Sequence, residues 1–416
     1  MPAQRDHTTG NEIVSLGGDA GAGSTLHVAV YPSIDQTVLR TMALWKALHP
    51  DVAVRLTSRP MHDHHRAMAE VLANGVDVPD VIGIEVTYMS RFAALGGLED
   101  LSQAPYRGDE HVPRLAPHAL PAARSATGAL LALPADIGPG VLFYRQDLLD
   151  RAGVAAAELV GWDGLVAAGR RLRAETNVAL VSHVALLADL RSRAGIPPGE
   201  GLYFDPDGAP RLRSERFQAG LELAREARAA GIDAREEAEW RARWQSLVAA
   251  GLVAAHPAGP WMLGMLEGWI APGTRGAWRT LDLPAGVRTG FGGSYYALPK
   301  RSPNRAVGWD WVKLMCLDRR AQLLAFEHAG AFPALAGALD DALLDEPLPF
   351  LGGQRARRQW SSATAEIPVL PAHALDVLAA SALRSALRAV LDDGQEVGQA
   401  LGEAERHLWR LVKDGL

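Results

Sequence analysis

Asp80-Val81-Ile82-Gly83-Ile84-Glu85 is the stretch from which the fold is read. Its middle is apolar without alternation, as in a strand covered on both faces, and such strands belong to parallel sheets packed between helices. Working upstream, Leu26, Val28 and Val30 alternate with His27 and Ala29, predicting a strand. A helix over 35–49 follows, with Val38, Met42 and Trp45 on one face, and Pro50-Asp51 ends it. Val52, Val54 and Leu56 alternate as a second strand. Residues 63–73 have the spacing of a helix, and Val76-Asp77-Val78-Pro79 turns the chain into the quoted stretch. Downstream, a helix begins near Tyr88 with Met89, Phe92 and Ala93 inward. The order β-α-β-α-β-α predicts a mostly parallel sheet with helices on both sides.

Beyond Leu133 a second unit begins. Strands are expected over 140–144 and 253–256, the latter ending at Pro257. Helices are expected over 162–174, 214–230 and 237–249, and 178–184 reads as a strand or a helix entry. Residues 271–293, rich in Gly, Thr and Pro, are expected to cross between units. A strand over 294–298, a helix over 307–317 and a helical tail over 371–416, broken at Asp392-Asp393-Gly394, complete the chain.

A chain of 416 residues exceeds one ordinary core. Hydrophobic content of 48% and charged content of 22% are those of a globular protein. The net charge of −6, with no stripe of Lys or Arg, offers nothing to nucleic acid. The single cysteine, Cys316, excludes disulfides within the chain and zinc sites built from cysteines. It lies in an apolar run and reads as a buried thiol. No window is apolar enough to span a bilayer. Residues 1–24 are polar and Gly-rich, and read as a flexible leader without the apolar stretch of a signal peptide.

Several chemistries fail at the level of motif. No G-x-G-x-x-G follows the first strand, and no P-loop occurs. Gly292-Gly293-Ser294-Tyr295-Tyr296 lacks the last glycine of a hydrolase elbow. His62-Asp63-His64-His65 reads as a polar first helical turn rather than a metal site, which needs three or four convergent ligands. Arg355, Arg357 and Arg358 read as a solvated face, with a clamp on an anionic ligand as the alternative. Trp261, Tyr295, Tyr296 and Trp360 stand beside Gly, Pro or Ser, where an aromatic ring can stack on a sugar. Trp45, Trp309 and Trp311 stand among aliphatic residues and belong to packing.

Taken in order, several stretches resemble one family. They are the segment from Pro60 through Glu85; Arg91-Phe92-Ala93-Ala94-Leu95-Gly96-Gly97-Leu98-Glu99-Asp100-Leu101; Leu133-Pro134-Ala135-Asp136-Ile137-Gly138-Pro139-Gly140-Val141-Leu142-Phe143-Tyr144-Arg145; Gly161-Trp162-Asp163-Gly164-Leu165; Gly259-Pro260-Trp261; Gly292 through Lys300; and Gly352-Gly353-Gln354. Together they are similar to the extracellular solute-binding proteins of ABC importers for sugars, the maltose-binding-protein-like group. The resemblance implies an α/β, two-lobed periplasmic-binding-protein fold of type II, each lobe a mostly parallel sheet flanked by helices. Lobe one would hold 25–133 and 294–345, lobe two 138–290, and a helical segment over 346–416 would pack across both. It implies hinge closure on a small carbohydrate, delivery to the membrane permease subunits of an importer, and a monomer located in the periplasm or outside the cell. No cofactor, metal or catalysis is expected.

Ligands of open α/β sheets bind beyond the carboxyl ends of strands. That rule selects Tyr31, Ser33, Arg59 and Glu85 in lobe one. Glu85 ends an apolar strand, where a carboxylate is costly unless partnered or wet. Asp136 stands in the expected crossing. Tyr144, His183 and Trp261 are the candidates in lobe two, with Tyr295 just past the second crossing and Arg357 as the anion clamp. Two alternatives stay open: the same fold binding an anionic sugar derivative or polyol, and a glycoside-acting enzyme using Glu85 and Asp136 as its carboxylate pair.

Overall fold

The computed structural model describes residues 12–16, 24–236 and 241–413, the first of these as backbone only. Ten strands are assigned: β1 (Glu12–Leu16), β2 (Ser24–Val30), β3 (Val52–Ser58), β4 (Val81–Glu85), β5 (Ala132–Pro139), β6 (Val141–Arg145), β7 (Ala255–Ala258), β8 (Trp278–Asp282), β9 (Gly290–Ala297) and β10 (Phe332–Pro333). Two compact units divide the chain, 1–138 with 292–341, and 139–291 with 342–416.

The sheet of the first unit has the order β1-β3-β2-β4-β9-β5-β10. Its centre is parallel, β2 pairing with β3 and β4. The helices Ile34–Leu48 and Met61–Asn74 make the crossovers that parallel neighbours require. The pairings of β1 with β3, β4 with β9 and β5 with β10 are antiparallel. Part of the expected leader is therefore a strand: Glu12–Leu16 pairs along β3, and Ile13, Val14 and Leu16 supply residue types suited to it. Residues 1–11 and 17–23 of that leader lie outside the described residues, and Ser24 begins β2. Val28, Val30, Ile82 and Ile84 are fully buried, and Trp45 packs edge-on against Trp311 with ring centroids 5.0 Å apart.

Gln322 holds the far side of this sheet. It is buried, and its amide donates to Ala135 O and Met315 O and accepts from Ala334 N (2.9 Å) and Leu335 N (3.3 Å). All four of its hydrogen-bonding positions are used. Through Ala135 it fixes β5 next to Asp136.

The sheet of the second unit is small and, against expectation, antiparallel: β6 lies between β7 and β8 and runs opposite to both. Among the described residues of this unit, parallel contacts occur as isolated bridges, Ala179 with Val253 and Val181 with Asp233. Pro257 does not end β7. It sits inside it, opposite Leu142, because β7 is an edge strand and needs no donor on its outer side. β8 falls inside the stretch expected only to cross between units. Its own outer edge is closed by a side chain, Gln354 accepting from Thr280 N and donating to Thr280 O, both at 2.8 Å. Gly352 lies beneath Arg279 at φ +61°, and a Cβ there would meet the guanidinium at 2.1 Å.

The C-terminal helices group with this unit. Asp376–Asp392 and Val397–Lys413 bury Leu383, Leu387, Leu401 and Leu408 in one core with Phe217, Leu221 and Ala224 of the helix Glu215–Ala229. Their apolar stripes at helical spacing match one partner helix, which accounts for the assignment. Of the helix expected over 237–249, Ala242–Ala249 is present, and 237–240 lies outside the described residues.

Replacing Gln322 with Leu leaves two buried carbonyls and two buried amides without partners. We expect a loss of about 3 kcal/mol in urea unfolding. A loss under about 1 kcal/mol would show that the amide does not hold β5 and β10 in place.

Candidate functional site

The site is built where β2, β4, β5 and β9 of the first unit bring polar groups together. Tyr31 follows β2 and is buried, and its hydroxyl donates to Ser294 Oγ at 2.9 Å. Ser294 lies on β9 directly opposite Glu85, the last residue of β4. Asp136 lies on β5, is 8% exposed, and takes hydrogen bonds from the Ser294 side chain and backbone. Its Oδ1 is buried and has no hydrogen-bond partner. Three strands are thus joined by one chain of donors, Tyr31 to Ser294 to Asp136.

Glu85 closes the strand and opens the next helix, Val86–Leu95, which begins slightly ahead of the start near Tyr88 expected from the sequence. Its Oε2 accepts from Thr87 N at 2.9 Å and from the Thr87 hydroxyl, an N-cap that satisfies donors the helix leaves open. Both carboxyls hold protons unusually well. Burial raises Glu85 to about 7, with help from the charge of Asp136 and against the two Thr87 bonds. Burial raises Asp136 to about 6 against the Ser294 bonds.

The histidines of the helix Met61–Asn74 back this site in fixed tautomers. His65 Nε2 receives the Glu85 backbone N–H at 3.0 Å, so the ring proton is on Nδ1 and is given to Met61 O at 2.6 Å. His64 donates from Nε2 to Gly83 O at 2.8 Å, and its buried Nδ1 has no partner. Burial lowers His65 to about 4 and His64 to about 3, so both are neutral at pH 7. Tyr88 stacks flat on His65 with centroids 3.8 Å apart, and its hydroxyl bonds His62 Nδ1. His62 and His65 thus share a partner, but the partner is a phenol. Among the described residues no group of three or more potential ligands could hold a metal ion.

The structure brings Tyr31, Glu85 and Asp136 together. Ser33, at φ +83°, carries a backbone that costs a non-glycine residue on the order of 1–3 kcal/mol. Asp35 steadies the turn, accepting from Ser33 N and Ser58 Oγ. The charge of Arg59 reaches His64 and His27.

Other expectations change. Tyr295 is 2% exposed and donates to Ala119 O at 2.8 Å, so its ring is packed rather than offered to a sugar. The strand alternates, and Ser294 is the residue that meets Tyr31. Trp360 is likewise buried, its indole N–H near Thr280 Oγ1. Arg357 is buried and donates to Leu343 O, and Arg358 pairs with Asp345, so the basic cluster ties down its own turn instead of facing an anion.

Tyr144, His183 and Trp261 belong to the second unit. Tyr144 is buried on β6 between Ala255 and Arg279. His183 lies against Arg228, which pairs with buried Asp233. Trp261 is half-buried, and its indole N–H donates to Phe291 O at 2.8 Å. Gly259 makes room for that ring, since a Cβ there would come within 2.5 Å of the indole nitrogen.

Ser294 and His65 were not among the expected site residues. Ser294 was signalled only by standing next to Tyr295, and His65 only by its place in the His62-Asp63-His64-His65 cluster of the first helical turn. Two cavities elsewhere, of about 590 Å³ beside Trp162, Arg191 and Glu222 and about 270 Å³ beside Leu72, Pro299 and Arg301, have no buried unpartnered polar atom among their lining residues. Chemistry therefore favours the strand-end cluster.

Residues 45–347 match the model of a family described as bacterial extracellular solute-binding protein. The lactose-binding protein of Rhizobium radiobacter is 22% identical over 362 residues, covering 82% of this chain and 81% of that protein. Among solved structures, the ABC transporter associated binding protein from B. animalis subsp. lactis, in complex with β-1,6-galactobiose, superimposes with a TM-score of 0.77. It is 20% identical and covers 95% of this chain and 98% of its own. The sugar-binding protein MalE from Xanthomonas citri gives 0.74 at 18% identity, over 92% of this chain and 96% of that one. These likenesses give the type II periplasmic-binding-protein fold.

A carboxyl that holds its proton more tightly when folded stabilises the fold most at low pH, and that stability is lost as pH rises through its folded pKa. For Asp136 the window runs from about 4 to about 6. Asp136→Asn removes the cost of the buried charge. In urea unfolding without solute it should therefore gain up to about 3 kcal/mol on wild type between pH 4 and pH 8. The same difference at both pH values would count against a buried, ionisable Asp136.

Proposed function

Since the chain belongs to the bacterial extracellular solute-binding protein family, we propose that it captures a small carbohydrate, a mono- or disaccharide, and delivers it to the permease of an ABC importer without altering it. The observation that carries this reading is the buried Asp136 carboxylate with one oxygen unpartnered, beside Glu85 at the end of β4. A carboxylate only accepts hydrogen bonds, and each oxygen can take two. Sugar hydroxyls supply donors at such spacing, and a molecule lacking them would leave the buried oxygen unpaired. The relatives named for lactose and in complex with galactobiose support the same solute class. Action outside the cytoplasm and closure of the two units on the solute, as hinge proteins do, are parts of this proposal.

The enzyme alternative needs one carboxyl as acid and the other as base or nucleophile. Glu85 is already committed to capping its helix through Oε2, which favours a fixed binding group over a proton carrier.

Titration calorimetry with lactose, β-1,6-galactobiose and maltose at pH 7.5 should give saturable heat for at least one. No reducing sugar should appear on prolonged incubation. Heat from none of the three, or steady release of reducing sugar, would overturn the reading.

The pH dependence has a definite sign. A solute that donates to ionised carboxylates competes with their protons, so affinity is full above about 7 and falls as pH drops through the values for Glu85 and Asp136. Below about 6 the fall should approach roughly tenfold per pH unit for each group that must ionise. Affinity that rises on acidification would contradict an acceptor role for these carboxyls.

A further inference from the structure

We propose that the open end of the C-terminal helical hairpin docks on the anionic surface of a phospholipid membrane. This contact uses residues of the second unit alone. It holds the protein beside the bilayer by direct binding to lipid, whatever solute the strand-end site takes.

Asp376–Asp392 and Val397–Lys413 are joined by residues 393–396 and pack along each other. The first turn of one helix therefore lies beside the last turn of the other. On the second helix Arg406, Trp409, Arg410 and Lys413 stand at i, i+3, i+4 and i+7, and so share one face, while Leu401, Ala404 and Leu408 turn to the core. All four are exposed, Trp409 by 38%. In the sequence other residues part these three cations, and the helix gathers them. This corrects the expectation that the chain carries no stripe of Lys or Arg. At the same end of the hairpin Val377 and Leu378 are 51% and 43% exposed. Arg384, also exposed, stands seven residues after Val377 and shares its face.

Charge is sorted along the hairpin. Asp392, Asp393 and Glu396 stand at the connecting end, about 24 Å from the last turn by the rise of a helix. That is roughly three Debye lengths in physiological salt. The charge of Arg406 reaches Glu403, Glu405 accepts from Arg213 N, and Glu396 pairs with Arg225. Among the described residues Arg410 and Lys413 have no ion pair, and Asp414, next in sequence, lies outside them. The whole chain carries −6 and on that count is repelled by an anionic bilayer. A patch reverses the sign only if its cations come within a Debye length of the headgroups while most acids stay beyond it. The open end meets that condition. Its apolar groups select a bilayer over an acidic protein. A tryptophan among cations suits a membrane interface, its ring at headgroup depth and the Arg and Lys stems lying along the apolar layer. Neither of the two cavities described above is lined by a residue of these helices, and a fluid headgroup layer needs no fitted socket. Contact of this kind is peripheral and reversible.

The test is co-sedimentation of the full chain with vesicles of phosphatidylcholine and phosphatidylglycerol in equal parts, against vesicles of phosphatidylcholine alone, in about 50 mM NaCl. Wild type should bind the anionic vesicles at least about tenfold more tightly than the neutral ones, and about 500 mM NaCl should release it. The variant carrying both Arg410→Gln and Lys413→Gln should bind the anionic vesicles about thirtyfold more weakly. Trp409→Ser should bind them about fivefold more weakly. These side chains are exposed, and circular dichroism verifies the fold of each variant. Absence of binding to the anionic vesicles overturns the inference, and an acidic protein partner for this face would give that outcome. Equal binding to the two vesicle types overturns it as well, and so does binding that either variant leaves unchanged. No sugar enters the assay, so the carbohydrate reading and this inference stand or fall separately.

Discussion

Asp136 is buried with one carboxylate oxygen left unpartnered, and much of the first unit is arranged around that fact. Removing a carboxylate from water is expensive, and protein interiors keep such groups only where hydrogen bonds or ligands repay the loss. Here the repayment inside the chain is partial. Ser294 serves one side of the carboxyl and is itself held by Tyr31. Gln322 fixes the strand one residue away, and Glu85 stands across β9. The unpartnered oxygen is therefore a cost that a hydrogen-bond donor at this position would offset.

The same constraint explains the histidines. A charged imidazole beside Glu85 would supply a second source of hydrogens and neutralise the site. Burial keeps both His64 and His65 neutral, and their backbone partners decide which nitrogen carries the proton. The pair acts as a scaffold: His64 fixes Gly83 in β4, His65 fixes the Glu85 amide and carries Tyr88 on its face. The fixed tautomers also mean that neither ring can rotate to donate to a solute without breaking a bond to β4.

The second unit solves a different problem. Its three-stranded sheet has two edges close at hand, and open edges invite unwanted pairing. Pro257 blunts one of them and the Gln354 amide closes the other. The C-terminal helices then cover the core that so small a sheet leaves open. Its aromatic residues are mostly spoken for, Trp360 by packing and Trp261 by a hydrogen bond over Gly259.

By itself the sequence determined the parallel β2-β3-β4 core, because apolar runs bounded by turns are a local property and the helices between them have their own period. It also placed Tyr31 and Glu85 at strand ends, since residues that follow a buried strand are readable one element at a time, whereas Asp136 was expected in a crossing and lies within β5. Tertiary structure alone decided the rest. That Ser294, and not Tyr295, meets Tyr31 depends on which face of β9 turns inward, and a slip of one residue reverses every face. That Arg357 serves its own turn, that β1 pairs with β3, and that the last helices belong to the second unit are contacts between residues far apart in the chain. Long-range pairing leaves no periodic trace in one sequence, because the energy that selects it comes from partners supplied elsewhere along the chain.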